Sequence, residues 1–135
     1  MAYTYRIDPD ERLAHLTFTE TVTGPELGEA LFSVYQDAGW QAGYDTIWDF
    51  RAIKQLLLNE GDLEELVSMD LDLDEIAGNG SDAIVMVREQ DHFIGKLFLH
   101  LAKSTPRPNY LCCTLEEART WLGLAEVPQV RRAAA

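Results

Sequence analysis

The run Ala83-Ile84-Val85-Met86-Val87 limits the folds open to this chain more than any other stretch. Five consecutive apolar residues leave no face for water, so a strand built from them must be covered on both sides. That is the condition of a strand inside a parallel sheet. The flanking sequence supplies helices to cover it. A helix should open at Asn59 or soon after, with Leu63, Leu66, Met69, Leu73 and Ile76 along one face and Gly78-Asn79-Gly80 as its stop. Another should start at Asp91 or a neighbour, with Phe93, Leu97, Phe98 and Leu101 on its buried side.

The remaining elements follow from local patterns. Tyr3, Tyr5 and Ile7 alternate with polar residues, Pro9-Asp10-Glu11 turns the chain, and Ala14, Leu16 and Phe18 alternate again, which predicts an antiparallel hairpin. Thr23 is placed as an N-cap, with Pro25 and Glu26 in the first turn and Leu27, Leu31, Val34 and Tyr35 at helical spacing up to Ala38-Gly39. A strand is expected over Tyr44 to Phe50 and a last one over Tyr110 to Thr114. A last helix over Leu115 to Leu122 is capped by Thr114. A hairpin followed by alternating helices and strands predicts an α/β fold with a mixed, mainly parallel sheet of about five strands and about four helices. Val85 and Leu111 should be almost fully buried. The length of 135 residues suits one domain over 1–124, with a tail at 125–135 whose Val127, Val130, Arg131 and Arg132 could dock on this domain or on a second copy.

Charge narrows the partners. Against 23 acidic side chains stand 11 basic ones, a net charge of -12. Such a chain repels phosphate backbones and anionic lipid headgroups, so nucleic acid is not an expected partner. No apolar run approaches the roughly 20 residues that span a bilayer. The N-terminal residues lack the basic-then-apolar order of a secretory signal. Cys112 and Cys113, the only cysteines, are neighbours that a strand would point to opposite faces. With no disulfide framework, a cytoplasmic location is expected.

Four clusters, in order, resemble the SpoIIAA-like branch of the STAS domains. They are Thr23-Gly24-Pro25-Glu26-Leu27, Gly39-Trp40, Trp48-Asp49-Phe50-Arg51, and Glu117-Ala118 followed by Trp121-Leu122. The resemblance covers residues 3 to 123. It implies a STAS-like fold, a shape related to the CRAL-TRIO lipid-binding domains. Most small bacterial members of the family have no established activity. The anti-sigma-factor antagonists of the superfamily carry a phosphorylatable Ser or Thr at the start of the helix after the Trp48-to-Arg51 strand. The corresponding positions here are near Leu58 and Asn59, and Ala52 to Val67 contains no hydroxyl side chain. No phosphorylation switch is therefore expected at that position.

The candidate binding residues are Asp49, Arg51, Asn59, Trp48 and Phe93. Asp49 and Arg51 are two apart, hence on one strand face, at the carboxyl end where open α/β sheets place ligands. They could pair with each other or jointly contact a ligand. Trp40, Trp48, Trp121, Phe50, Phe93 and Phe98 could line an apolar pocket, though such residues more often fill cores. The run Glu60, Asp62, Glu64, Glu65, Asp70, Asp72, Asp74, Glu75 reads as a solvated helix face. Its Asp70-x-Asp72-x-Asp74 start of a calcium loop fails at Glu75, where Gly is needed, and at Ser81, where Glu is needed. Gly78-Asn79-Gly80-Ser81-Asp82-Ala83 follows a helix and opens a strand, the reverse of a dinucleotide fingerprint. His92 and His100 lack metal spacing, and no nucleophile elbow or P-loop exists. The sequence thus implies no catalytic residue, metal or cofactor. It points to a non-enzymatic interaction module, able to form a homodimer, that meets a basic protein partner through Asn59 to Glu65. The alternative is a domain holding a small apolar molecule or lipid between the sheet and the helix that starts near Asp91.

Overall fold

The structure, a computed structural model, describes residues 3–125. The expected docking of the tail falls, from residue 126 onward, outside the described residues. Strands β1 (Tyr3–Asp8) and β2 (Leu13–Thr23) form the hairpin. They are followed by α1 (Gly24–Gln36), β3 (Asp45–Leu57), α2 (Glu60–Asp72), the single turn α3 (Asp74–Ala77), β4 (Asp82–Val85), α4 (Glu89–Leu101), β5 (Asn109–Cys112) and α5 (Leu115–Trp121). The sheet runs in chain order, β1-β2-β3-β4-β5, with β1 antiparallel to β2 and all other pairs parallel. This is the α/β architecture the sequence predicts.

Strands in chain order with crossovers of one hand put every connecting helix on the same face. The packing follows that rule. Leu27, Leu31 and Val34 of α1, Leu63 and Leu66 of α2, and Ile94 and Phe98 of α4 share one core with Leu16, Phe18, Phe50, Ile84 and Met86 of the sheet. The other face is smaller: Leu13, Ile47, Ala83, Val85 and Cys112 pack against Ala118 and Leu115 of α5. Phe18 stacks between Trp48 and Phe50, with ring centroids 5.8 and 4.7 Å away.

Capping residues set the helix starts. The Glu26 carboxylate accepts from the Thr23 N–H at 3.3 Å and its hydroxyl at 3.1 Å. Asn59 Oδ1 accepts from the Asp62 N–H at 2.8 Å, while the Asp62 carboxylate accepts from the Asn59 N–H at 3.0 Å. Thr114 Oγ1 accepts from the Glu117 N–H at 3.1 Å. Each arrangement satisfies donors that a helix start leaves free.

Several boundaries differ from expectation. β3 does not stop at Phe50 but continues to Leu57, because β2 also runs on and the two pair from Thr19↔Ala52 to Thr23↔Leu57. The sequence shows no break there because none exists. β4 ends at Val85, and Val87 is 58% exposed. Leu111 is only partly buried, in contrast to Val85 at 0% exposure, because β5 is the sheet's edge. α1 ends at Gln36, two residues early, and Ile76 of α3 is exposed. Phe93 is 71% exposed rather than buried. The buried side of α4 is centred on Asp91 and Gly95, two residues a hydrophobic pattern passes over, so the apolar stripe is rotated away from Phe93. Asp91 is buried because the Arg88 guanidinium binds it at 2.8 and 3.1 Å.

Candidate functional site

The larger face of the sheet carries a cleft bounded by α1, α2 and α4. Leu27, Leu31, Trp48, Phe50, Ile84 and Phe98 are among its apolar walls. The space between the lining residues totals about 620 Å³ including the open mouth, and the centre of a water-sized sphere can range over about 70 Å³ of it. Trp48, Phe50 and Phe98 line it as the sequence suggested. Trp40, Trp121 and Phe93 do not. Gly95 lets α4 approach the sheet: a Cβ there would stand 2.9 Å from Leu111 Cδ2 and 3.1 Å from Met86 Sδ.

The polar members of the lining are Tyr35, Asp70, Asp82 and Asn109. Asp82 and Asn109 face each other in register at the amino ends of β4 and β5. Asp82 is held on every side. The Thr46 hydroxyl donates to it at 2.5 Å, and Trp48 Nε1 donates in turn to Thr46 Oγ1 at 2.9 Å. Arg107 donates from Nε at 3.1 Å and from Nη2 at 2.8 Å. The rest of the guanidinium binds backbone carbonyls: Nη1 reaches Ala77 at 3.1 Å and Gly78 at 3.2 Å, and Nη2 reaches Tyr44 at 2.9 Å. All five N–H donors of Arg107 are thereby used. The indole of Trp40 lies over the same group, 5.8 Å from its centroid.

Gly78 and Gly80 make this possible. Gly78 has φ 77°, the left-handed region that glycine adopts freely, and a Cβ on Gly80 would fall 2.2 Å from the Tyr44 carbonyl oxygen. The glycine pattern that fails as a nucleotide fingerprint is a close-packing device around Arg107. Sequence reading missed Arg107, which sits between Pro106 and Pro108 and reads as a chain break.

Asp70 is the other residue missed. Placed with the solvated acids of α2, it instead lines the cleft, half-buried, beside Asp82. Burial pushes its carboxyl up to about 7, the Asp82 charge adds to this, and Arg107 opposes it. No hydrogen bond or ion pair to a described residue holds it. Every fully buried side-chain nitrogen or oxygen among the described residues has a partner, so the Asp70 oxygens retain some access to solvent. A signal existed: Asp70 stands four residues after Leu66 and seven after Leu63, on the apolar stripe itself. Tyr35 faces the same end, its hydroxyl held well above its ordinary range by burial and then by the Asp82 charge.

Asp49 and Arg51 lie on the opposite face. They are not at the end of β3 but in its middle, level with the end of β4 through the pair Asp49↔Val85. Asp49 is 2% exposed. Arg51 Nε and Nη2 donate to it at 2.9 and 2.8 Å, the Arg51 N–H adds a bond at 3.1 Å, and His15 Nε2 approaches at 3.0 Å. A carboxylate only accepts, so His15 carries its proton on Nε2. Burial alone would raise the Asp49 carboxyl, and the bonds from His15 and Arg51 outweigh it and hold it far below the carboxylate range. This arrangement is a saturated ion pair that leaves little acceptor capacity for a ligand. Asn59 is spent as the cap of α2, and Trp48 is the one candidate that reaches the cleft.

A third cluster joins Cys113 and His92, with Sγ 3.6 Å from Nε2. The same Nε2 lies 2.5 Å from the Met86 carbonyl, which only accepts, so Nε2 bears a proton and cannot take one from the thiol. Burial, followed by the Glu117 charge, pushes the neighbouring Cys112 thiol up to about 11. Among the described residues, no group of three or more His, Cys, Asp or Glu side chains is placed to hold a metal ion, and no helix is long and apolar enough to cross a membrane. No protein-family model matches the chain, and no curated protein matches it in sequence.

Proposed function

We propose that this domain binds a small apolar molecule, without chemistry, in the cleft between the sheet and helices α1, α2 and α4. The observation that supports this reading is a mostly apolar recess with an unpartnered polar group at one end, the usual composition of a ligand site. The room for a water-sized sphere, about 70 Å³, is smaller than the ~150 Å³ cavity known to admit benzene. The occupant would insert one short end and leave the rest in the open mouth. Titration with hexanol, followed by amide NMR shifts, tests the reading. Shifts should concentrate at Leu31, Ile84, Met86, Ile94 and Gly95 and leave His15 and Arg51 unmoved. No shift at 10 mM, or shifts scattered over both faces, would remove the proposal.

A second reading is the interaction module suggested by the sequence. Its support is the exposed start of α2, where Glu60, Glu64 and Glu65 face solvent, together with exposed Val87 and Phe93 at the start of α4. A basic partner would meet that acidic surface. Binding of a hexalysine peptide in 0.15 M salt, abolished by reversing these three glutamates to lysine, would support it; no binding at that salt would count against it. The order of elements favours a SpoIIAA-like, STAS-type relationship. Sedimentation at tens of micromolar would show whether the module pairs with a second copy, and a monomer there would remove the homodimer.

A further inference from the structure

The cleft has two unlike ends. Met86 follows the carboxyl end of β4, and Phe50 lies one residue past the last β3–β4 pair, so that end is apolar. At the amino ends of β4 and β5 the groups facing the cleft and its adjoining groove come from every surrounding element. They are Tyr35 of α1, Asp70 of α2, Asp74 of α3, Asp82 of β4, Arg107 of the segment before β5 and the neutral amide of Asn109 at the start of β5.

These groups differ in what they have left to offer. Arg107 is the one cation among them, and all its N–H donors are engaged by Asp82, Ala77, Gly78 and Tyr44. An anionic ligand would find no free donor on it. Asp82 is neutralised by Arg107, and its Oδ1 is taken by Thr46 and Arg107 while Oδ2 accepts from Arg107 Nε. Asp70 has acceptor capacity and no partner among the described residues, and Asp74 adds further negative charge in the adjoining groove. Tyr35 and Asn109 offer only neutral donors, so the charge of this end favours a ligand head that donates hydrogen bonds and carries positive charge.

We propose that the cleft takes a small alkyl amine, with its hydrocarbon body against Leu31, Trp48, Ile84 and Phe98 and its ammonium group on the Asp70 carboxylate. The assignment rests on the ligand-binding reading above and deepens it by naming the head group. An alkyl acid is disfavoured, because its carboxylate would face Asp70 and Asp74 with no free cation. An alcohol can enter but gains only a neutral hydrogen bond.

The affinity for an amine should depend on pH through Asp70. Its carboxyl, raised by burial and by Asp82 to about 7, must be ionised to pair with the ammonium group. The amine stays protonated below about pH 10. Affinity should therefore rise from pH 5 to 8, falling about tenfold for each pH unit below 7 as the competent form is depleted.

Calorimetric titration of the full chain with hexylamine, hexanol and hexanoate, in phosphate buffer from pH 5 to 8.5, tests this. Hexylamine should bind at least about tenfold more tightly than hexanol at pH 8 and lose about a factor of ten of that advantage by pH 6, while hexanol stays level. Asp70→Asn should abolish the amine preference and the pH dependence while keeping hexanol binding and the folded thermal transition. Equal affinity for hexylamine and hexanol would overturn the head-group assignment and leave the cleft reading intact. So would tighter binding of hexanoate. Retention of the amine preference in Asp70→Asn would place the amine on the acidic surface instead. Failure of all three ligands would bring down the cleft reading and this inference with it.

Discussion

Asp49 and Asp70 are two carboxylates drawn away from water by the same sheet, one on each face, and they end in opposite states. Burial penalises the charge of both. Asp49 overcomes the penalty because His15 and Arg51 surround it with donors, and its proton is held off far below the usual carboxylate range. Asp70 has no such donors, sees the like charge of Asp82, and titrates at about 7. The difference separates structure from candidate function: the saturated carboxylate locks strands together, and the unsaturated one is what a ligand could complete. Arg107 belongs with the first kind, although it adjoins the cleft.

The saturated groups should be the costly ones to remove. The largest effect is expected for Arg107→Met, which leaves Asp82 buried without its partner and frees the Ala77, Gly78 and Tyr44 carbonyls. Breaking a buried pair from one side costs about 3–5 kcal/mol. Urea unfolding at pH 7 measures it, and a loss below about 1 kcal/mol would mean that the pair does not fix the amino ends of β4 and β5.

Asp49→Asn tests the other face with a smaller expected loss of about 2 kcal/mol at pH 7, the scale of losing charge-assisted bonds. The pH dependence follows from the depressed carboxyl. Its stabilisation is present above the unfolded value near 4 and is lost as pH falls toward the folded value. The gap between wild type and variant should therefore begin to narrow below about pH 4 and keep narrowing to the lowest pH at which both remain folded. A gap that is constant from pH 7 to 3 would assign the loss to packing rather than to charge.

Asp70→Asn should act in the opposite direction. A carboxyl raised from 3.8 to about 7 binds its proton more tightly in the folded state, so wild-type stability falls as pH rises through this window. The full shift corresponds to about 4 kcal/mol, an upper bound on the effect. The variant should be more stable than wild type by up to that amount at pH 8 and equal to it near pH 4. Equal stability at both values would mean that Asp70 is solvated like its neighbours on α2, and the comparison with Asp49 would collapse.

The fold was legible in the sequence because its signals are local. The apolar run at Ala83 to Val85, the hairpin alternation and the caps at Thr23, Asn59 and Thr114 each lie within a few residues of the structure they cause. The sites were less legible because their partners are distant. Arg107 meets Asp82 across 25 residues and Tyr44 across 63, and nothing in Pro106-Arg107-Pro108 signals either contact. Asp49 and Arg51 were visible as a pair, but His15, from 34 residues away, was not. Asp70 could have been found by its phase with Leu63 and Leu66, which the surrounding acids conceal.

Phe93 gives the smallest expected effect and the sharpest control on the cleft. Its aromatic side chain invites a binding role, and its neighbour Ile94 does line the cleft, yet a helix turns about 100° per residue and carries Phe93 off that face. With most of its surface already in water, Phe93→Ala removes little burial, so stability should change by less than about 0.5 kcal/mol. Hexylamine affinity should stay within about twofold of wild type, because no contact to the ligand is removed. Ile94→Ala, one residue along, should lower both stability and affinity. If Phe93→Ala weakens amine binding as much as Ile94→Ala, the ligand's body extends over the outer surface of α4, and the mouth of the cleft, rather than its floor beside Trp48 and Ile84, would carry the apolar recognition.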